Sequence, residues 1–112
     1  MVFQIGSTLL DACVLGQLAK ENAYGYSLTQ SIRGVVEVSE STLYPVLRRL
    51  QRDALLAAYD EPYNGRNRRY YRITDTGRDK LRFYSGEWRA FSQKVRALIT
   101  PEDEYDRREA AQ

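Results

Sequence analysis

A chain of 112 residues, 43% apolar and 29% charged, has the length of one domain and the composition of a globular protein. With no histidine and a single cysteine, Cys13, it cannot form a Ser-His-Asp triad, a Cys-His pair, an internal disulfide, or a zinc site of histidines or four cysteines. The net charge is only +2, but it is unevenly spread: Arg48 to Arg82 hold ten basic side chains against five acidic ones, while residues 1–47 and 101–112 are net acidic.

Other absences narrow the function further. The longest apolar run, Ala54–Tyr59, is six residues, against ~20 for a membrane span. No basic stretch followed by an apolar one opens the sequence, and neither GxxxxGK nor GxGxxG occurs. No pair of carboxylates, lysines or tyrosines is singled out by its spacing. These features predict a cytoplasmic protein that is not an enzyme, with no metal and no cofactor and no membrane partner.

In chain order, Ser7 to Lys20 places Leu9, Leu10, Cys13, Val14, Leu15 and Leu18 at helical spacing on a wide apolar arc. Cys13 reads as a small buried hydrophobe and Asp11 as an exposed carboxylate. Glu21-Asn22 ends this helix. Tyr24–Arg33 predicts a second helix with Tyr24, Leu28 and Ile32 on one face and Gly34 as its stop. Val35–Val38 is a short β-prone connector.

Ser39 and Ser41 are candidate N-caps of a third helix reaching about Asp53. Leu43, Val46, Leu47 and Leu50 form its apolar stripe, and Thr42, Tyr44, Pro45, Arg48, Arg49 and Arg52 fill the other face. Pro45 limits how far upstream this helix can begin. Ala54–Tyr59 and Arg68–Ile73 then read as two strands around Asn64-Gly65, with a loop longer than two residues. Of Tyr70 and Tyr71, strand alternation sends one to the core and the other beneath the hairpin.

Thr74 is a candidate N-cap of a last helix from Asp75 to Ile99, and Asp75 suits its positive terminus. Leu81, Tyr84, Trp88, Phe91, Val95 and Leu98 recur at alternating spacings of three and four. This seam runs along a helix of ~37 Å at 1.5 Å per residue, more than a small domain's own core needs. It predicts self-association into a homodimer. The acidic segment 101–112, bounded by Pro101, is expected to be disordered.

The predicted fold is mostly α with a small β-hairpin wing: a winged helix-turn-helix over residues 1–74 and a dimerisation helix over 75–100. In such a fold the third helix offers short polar and cationic side chains to the major groove. The wing lays arginines along the phosphate backbone, where each releases counterions. Double-stranded DNA is the predicted partner, with Ser41, Thr42, Tyr44, Pro45, Arg48 and Arg49 of the helix and Arg66, Arg68 and Arg69 of the wing as candidate contacts. On the residues alone two other classes stay open: a winged-helix module that binds another protein, and a ligand-binding protein without a DNA role.

Three stretches in order resemble the PadR family of bacterial transcriptional regulators: Tyr24-Gly25-Tyr26, Ser41-Thr42-Leu43-Tyr44-Pro45-Val46-Leu47-Arg48-Arg49-Leu50, and Arg68-Arg69-Tyr70-Tyr71-Arg72-Ile73-Thr74-Asp75-Thr76-Gly77. With one long helix after the wing, the chain is similar to the short, single-domain branch of LmrR-like multidrug regulators. The resemblance implies a homodimer with cross-packed last helices, a two-fold symmetric operator, and repression. It also implies a planar aromatic or cationic effector stacked on a last-helix tryptophan at the dimer centre, a position matched by Trp88. Ile5, Thr8, Leu9, Ala12, Ser85 and Ser92 are the candidates for the rest of that wall. The alternative is that Trp88 only fills a packed dimer core.

Overall fold

A computed structural model describes residues 6–101; Ile5 and the acidic segment 102–112 lie outside the described residues. Four helices and three strands follow in the order α1 (Ser7–Lys20), β1 (Ala23–Tyr24), α2 (Gly25–Arg33), α3 (Glu40–Arg52), β2 (Leu56–Tyr63), β3 (Arg66–Ile73) and α4 (Asp75–Ile99). The sheet is antiparallel with β3 in the centre, in the order β1-β3-β2. The expected winged helix-turn-helix with a long last helix is present.

One apolar core holds the helices to the sheet. Leu10, Val14, Leu15 and Leu18 of α1 meet Leu28 and Ile32 of α2 and Leu43, Val46, Leu47 and Leu50 of α3, over Leu56, Tyr71 and Ile73 of the strands. The helical members of this core belong to the stripes read from helical periodicity. Burying each large aliphatic side chain stabilises the fold by roughly 1.5–3 kcal/mol before ordering costs.

The helix starts follow from capping chemistry. The Ser39 hydroxyl accepts from the Thr42 backbone N–H at the head of α3, and Thr74 accepts from Gly77 N–H at the head of α4. Each satisfies one of the donors that a first helical turn leaves free. The expected bounds of α4 are reproduced from Asp75 to Ile99.

Three local expectations need correction. Tyr24 is not on the face of α2; it forms β1 with Ala23 and pairs with Tyr70. Val35–Val38 is the expected connector, without strand pairing: Val35 is 81% exposed in a turn, and Val36 and Val38 lean on the core. α3 runs upstream of Pro45 to Glu40, because the proline sits on the exposed face, where water can take the carbonyl it leaves unbonded. The hairpin loop is two residues, not longer. Asn64 and Gly65 adopt φ of 50° and 78°, the pair of left-handed residues that a type I′ turn requires. The strands therefore reach Tyr63 and Arg66, and Pro62 is tolerated because β2 is an edge strand.

Candidate nucleic-acid interface

A polar clasp joins α2 to the head of α3. Glu40, the first residue of α3, accepts from Gln30 Nε2 at 2.9 Å and from Arg33 Nη1 at 3.3 Å, and Arg33 Nε donates to the Val38 carbonyl at 3.0 Å. A carboxylate at the positive end of α3 also complements its dipole. The clasp spans the turn of the helix-turn-helix. Sequence reading missed it, although an acidic residue just after a serine cap was the available signal.

From this platform α3 exposes Ser41, Thr42, Pro45 and Arg48. The hydroxyls of Ser41 and Thr42 lie 2.9 and 3.0 Å from Ser39 Oγ. The first turn thus presents a connected cluster of short polar groups where recognition helices meet base edges. Arg48 is exposed and has no ion-pair partner among the described residues.

Two candidates on α3 are placed differently. Tyr44 is half-buried and packs on the core cluster. Arg49 grips Asp11 of α1: Nη1 donates to Oδ2 at 3.0 Å and Nη2 to Oδ1 at 2.5 Å. Asp11 is 6% exposed, so the expectation of an exposed carboxylate is overturned. The hydrogen bond to Asp11 raises the Arg49 pKa further above its ordinary value, against a smaller lowering by burial. Two of the five N–H donors of Arg49 are thus taken up inside the protein.

The wing presents its arginines on two faces. Arg66 and Arg68 share the outer face of β3 with Tyr70, while Arg69 is on the face of Tyr71 and Ile73. Tyr71 is core, and Tyr70 packs between Tyr24 and Tyr59, with ring centroids 5.8 and 5.7 Å away. That division between the two tyrosines is the expected one. Arg69 approaches Asp60 across the strands at 3.8 Å, an exposed pair of little energetic weight. Arg66 has no such partner among the described residues. The Arg68 guanidinium carbon is 4.3 Å from the Tyr24 ring centroid and 3.6 Å from that of Tyr63.

Away from this face, Thr8, Leu9 and Ala12 of α1 and Tyr84, Glu87, Trp88 and Phe91 of α4 line one groove of about 480 Å³. Four of the predicted effector residues meet there: Trp88, Thr8, Leu9 and Ala12. Ser85 and Ser92 are not among the lining residues, and the Ser92 hydroxyl donates to the Arg89 carbonyl of its own helix. Glu87 was missed; it shares with Tyr84 and Phe91 the three- and four-residue spacing that marks one helix face. Of the seam, Leu81 and Tyr84 lie partly on the chain's own core. Beyond them Trp88, Phe91 and Leu98 are 48%, 60% and 84% exposed. Val95 is half-buried.

Among the described residues no helix is long and apolar enough to cross a membrane, and no cluster of three metal-ligating side chains could hold a metal ion. The family described as "Transcriptional regulator PadR-like family" matches residues 14–83. The Mycobacterium tuberculosis transcriptional regulator Rv3488 is 42% identical over 87 residues, spanning 77% of this chain and 78% of its own. The crystal structure of smu.1704 from Streptococcus mutans superposes with a TM-score of 0.82 at 30% identity, covering 88% of this chain and 93% of that one. A PadR-like transcriptional regulator from Bacillus cereus gives 0.75 at 33% identity, covering 84% and 94%. With recognition helix, basic wing and family match in agreement, the chain belongs to the PadR-like family of transcriptional regulators, which bind DNA and are not enzymes.

Proposed function

We propose that two copies of this chain pair through α4 and repress transcription from a two-fold symmetric operator, and that a planar aromatic or cationic small molecule beside Trp88 releases them. The observation that carries this reading is the uncovered face of α4. Trp88, Phe91, Leu98 and Ile99 are 48%, 60%, 84% and 67% exposed on a helix that extends beyond its own core. A contiguous apolar stripe of this kind on a soluble domain marks an association surface. In this division of labour residues 1–74 read DNA and residues 75–100 pair the subunits.

The pairing supplies the operator geometry. Two α3 helices related by a two-fold axis address half-sites about 34 Å apart, one turn of duplex. Ser41, Thr42 and Arg48 face base edges, and Arg66, Arg68 and Arg69 neutralise phosphates. A ligand in the α1–α4 groove acts by favouring a helix arrangement that holds the two α3 helices at another separation.

Light scattering at micromolar concentration tests the pairing: the expected mass is twice the 13.0 kDa of one chain. Phe91→Asp is expected to shift it toward the single-chain mass, because the dimer would bury an unpaired charge. A wild-type mass of one chain, with binding to duplexes holding one half-site as tight as to inverted repeats, would sink the proposal.

A further inference from the structure

Arg68 differs from the other wing arginines. It is half-buried where Arg66 and Arg69 are exposed. Its side chain has no hydrogen-bond or ion-pair partner among the described residues, and Glu61, opposite it in the ladder, makes no ion pair with it. What holds it is aromatic: Tyr63 at 3.6 Å and Tyr24 at 4.3 Å from ring centroid to guanidinium carbon, both inside the range of a cation–π contact.

The ladder register explains how these rings come together. Tyr24 lies opposite Tyr70 and Tyr63 opposite Arg66, so the two tyrosines bracket Arg68 along β3 on one face of the sheet. β1 covers only Tyr70 and Tyr71 of β3, which leaves the edge from Arg66 to Arg69 open on that side. A notch lined by Tyr24, Tyr63, Arg66, Arg68 and Arg69 lies along this open edge.

A guanidinium is planar, with its five N–H donors at the rim. Rings that hold its face leave the rim free, and the rim is what pairs two oxygens of a phosphate. From this geometry we propose that Tyr24 and Tyr63 are positioning residues for DNA binding. They hold Arg68 with its N–H rim presented to one backbone phosphate, and need not touch DNA themselves. The proposal rests on the wing being a DNA contact. Arg66, by contrast, must be immobilised from many rotamers when it binds.

The test uses the full-length protein and a fluorescent mixed-sequence duplex of about 24 base pairs, long enough for two successive major-groove turns. Tyr63 is 48% exposed at the wing tip, so its truncation removes no core packing. Tyr63→Ala is expected to weaken binding of the two-winged dimer about five- to thirtyfold, the scale of two exposed cation–π contacts. Tyr63→Phe, which keeps the ring, should bind within about twofold of wild type. In an Arg68→Ala background, Tyr63→Ala should have no further effect. Arg68→Ala should flatten the salt dependence by about two units per bound dimer, one for each wing, whereas Tyr63→Ala should leave the slope intact because the charge remains. Tyr24→Leu should behave as Tyr63→Ala does, with unfolding temperatures checked for each variant.

Wild-type affinity in Tyr63→Ala overturns the inference. So does an equal loss with and without Arg68, or a Tyr63→Phe variant as weak as Tyr63→Ala. If Arg66→Ala and Arg68→Ala both bind as tightly as wild type, the wing itself is not a DNA contact, and the failure is of the underlying reading.

Discussion

Asp11 and Arg49 join α1 to α3 by a two-pronged ion pair, at 3.0 and 2.5 Å, between residues 38 positions apart in sequence. The Asp11 side chain is 8% exposed and the Arg49 side chain 36%. That asymmetry sets the cost of breaking the pair. Arg49→Ala leaves a buried carboxylate without its counter-charge, while Asp11→Ala leaves a guanidinium that can still reach water. We expect Arg49→Ala to destabilise by about 2 kcal/mol, below the full cost of a wholly buried pair because Arg49 is partly solvated. Asp11→Ala should cost less, and Arg49→Lys should recover only part, since an ammonium does not match both carboxylate oxygens. Urea midpoints at constant slope measure all three.

Gly77, in the first turn of α4, is required for a steric reason. A Cβ there would lie 2.2 Å from the Leu55 carbonyl oxygen and 2.8 Å from Ile73 Cγ1. Neither backbone nor core can yield by that much without moving the junction between hairpin and helix. Gly77→Ala is expected to cost about 3 kcal/mol despite alanine's better helix propensity. Thr74→Ala should cost about 1 kcal/mol by removing the cap. The Thr74 hydroxyl also donates to the Ala54 carbonyl at 2.7 Å, so it ties the helix start to the turn before the hairpin. A Gly77→Ala variant as stable as wild type in thermal unfolding would show that α4 can shift freely against the wing.

What sequence reading recovered, and what it missed, divides by range. Ser39, Thr74 and the stripes of α1, α3 and α4 act within one helix, so spacing and capping chemistry revealed them. Asp11 was misjudged because its partner lies on another helix, and no local pattern distinguishes a paired buried carboxylate from a solvated one. Tyr24 was given to a helix because a strand of two residues has no periodicity of its own; only pairing with Tyr70 creates it. The first strand was ended at Tyr59, yet β2 runs on to Tyr63, because an edge position makes the missing N–H of Pro62 harmless. At the candidate DNA face the charges were visible as composition, whereas the difference between Arg49, paired with Asp11, and Arg48, without an ion-pair partner among the described residues, depends on packing.

Cys13 is half-buried in a groove with Gly16, Val35 and Val36, and burial pushes its thiol pKa up. Less thiolate forms at a given pH, so alkylation by iodoacetamide at about pH 8 should be slower in the folded protein than in urea. The linkage has a definite sign. With the folded pKa above the unfolded one, the stability contribution is complete below the ordinary thiol pKa of about 8.5 and is lost as pH rises through the folded value. Wild type should therefore lose stability relative to Cys13→Ala as pH rises from about 8 to about 10. Parallel stability curves for the two proteins over that interval would exclude the effect.

Trp88 is the sole tryptophan, so its emission reports directly on the α1–α4 groove. Its ring lies 6.4 Å from that of Phe91 at 47°, and half of its surface is open. A flat ligand can stack on the indole while Leu9 and Ala12 close the opposite wall, and Glu87 supplies a carboxylate for a cationic one. A panel of planar dyes should quench Trp88 saturably. Read from the dye's own fluorescence, Trp88→Ala should lose about tenfold in affinity, the scale of one aromatic contact with its buried area. Glu87→Gln separates charge from stacking: it should weaken cationic dyes and leave neutral ones of the same shape unchanged. If Trp88→Ala binds every dye as wild type does, the indole is packing alone, and release from DNA by a stacked ligand is ruled out.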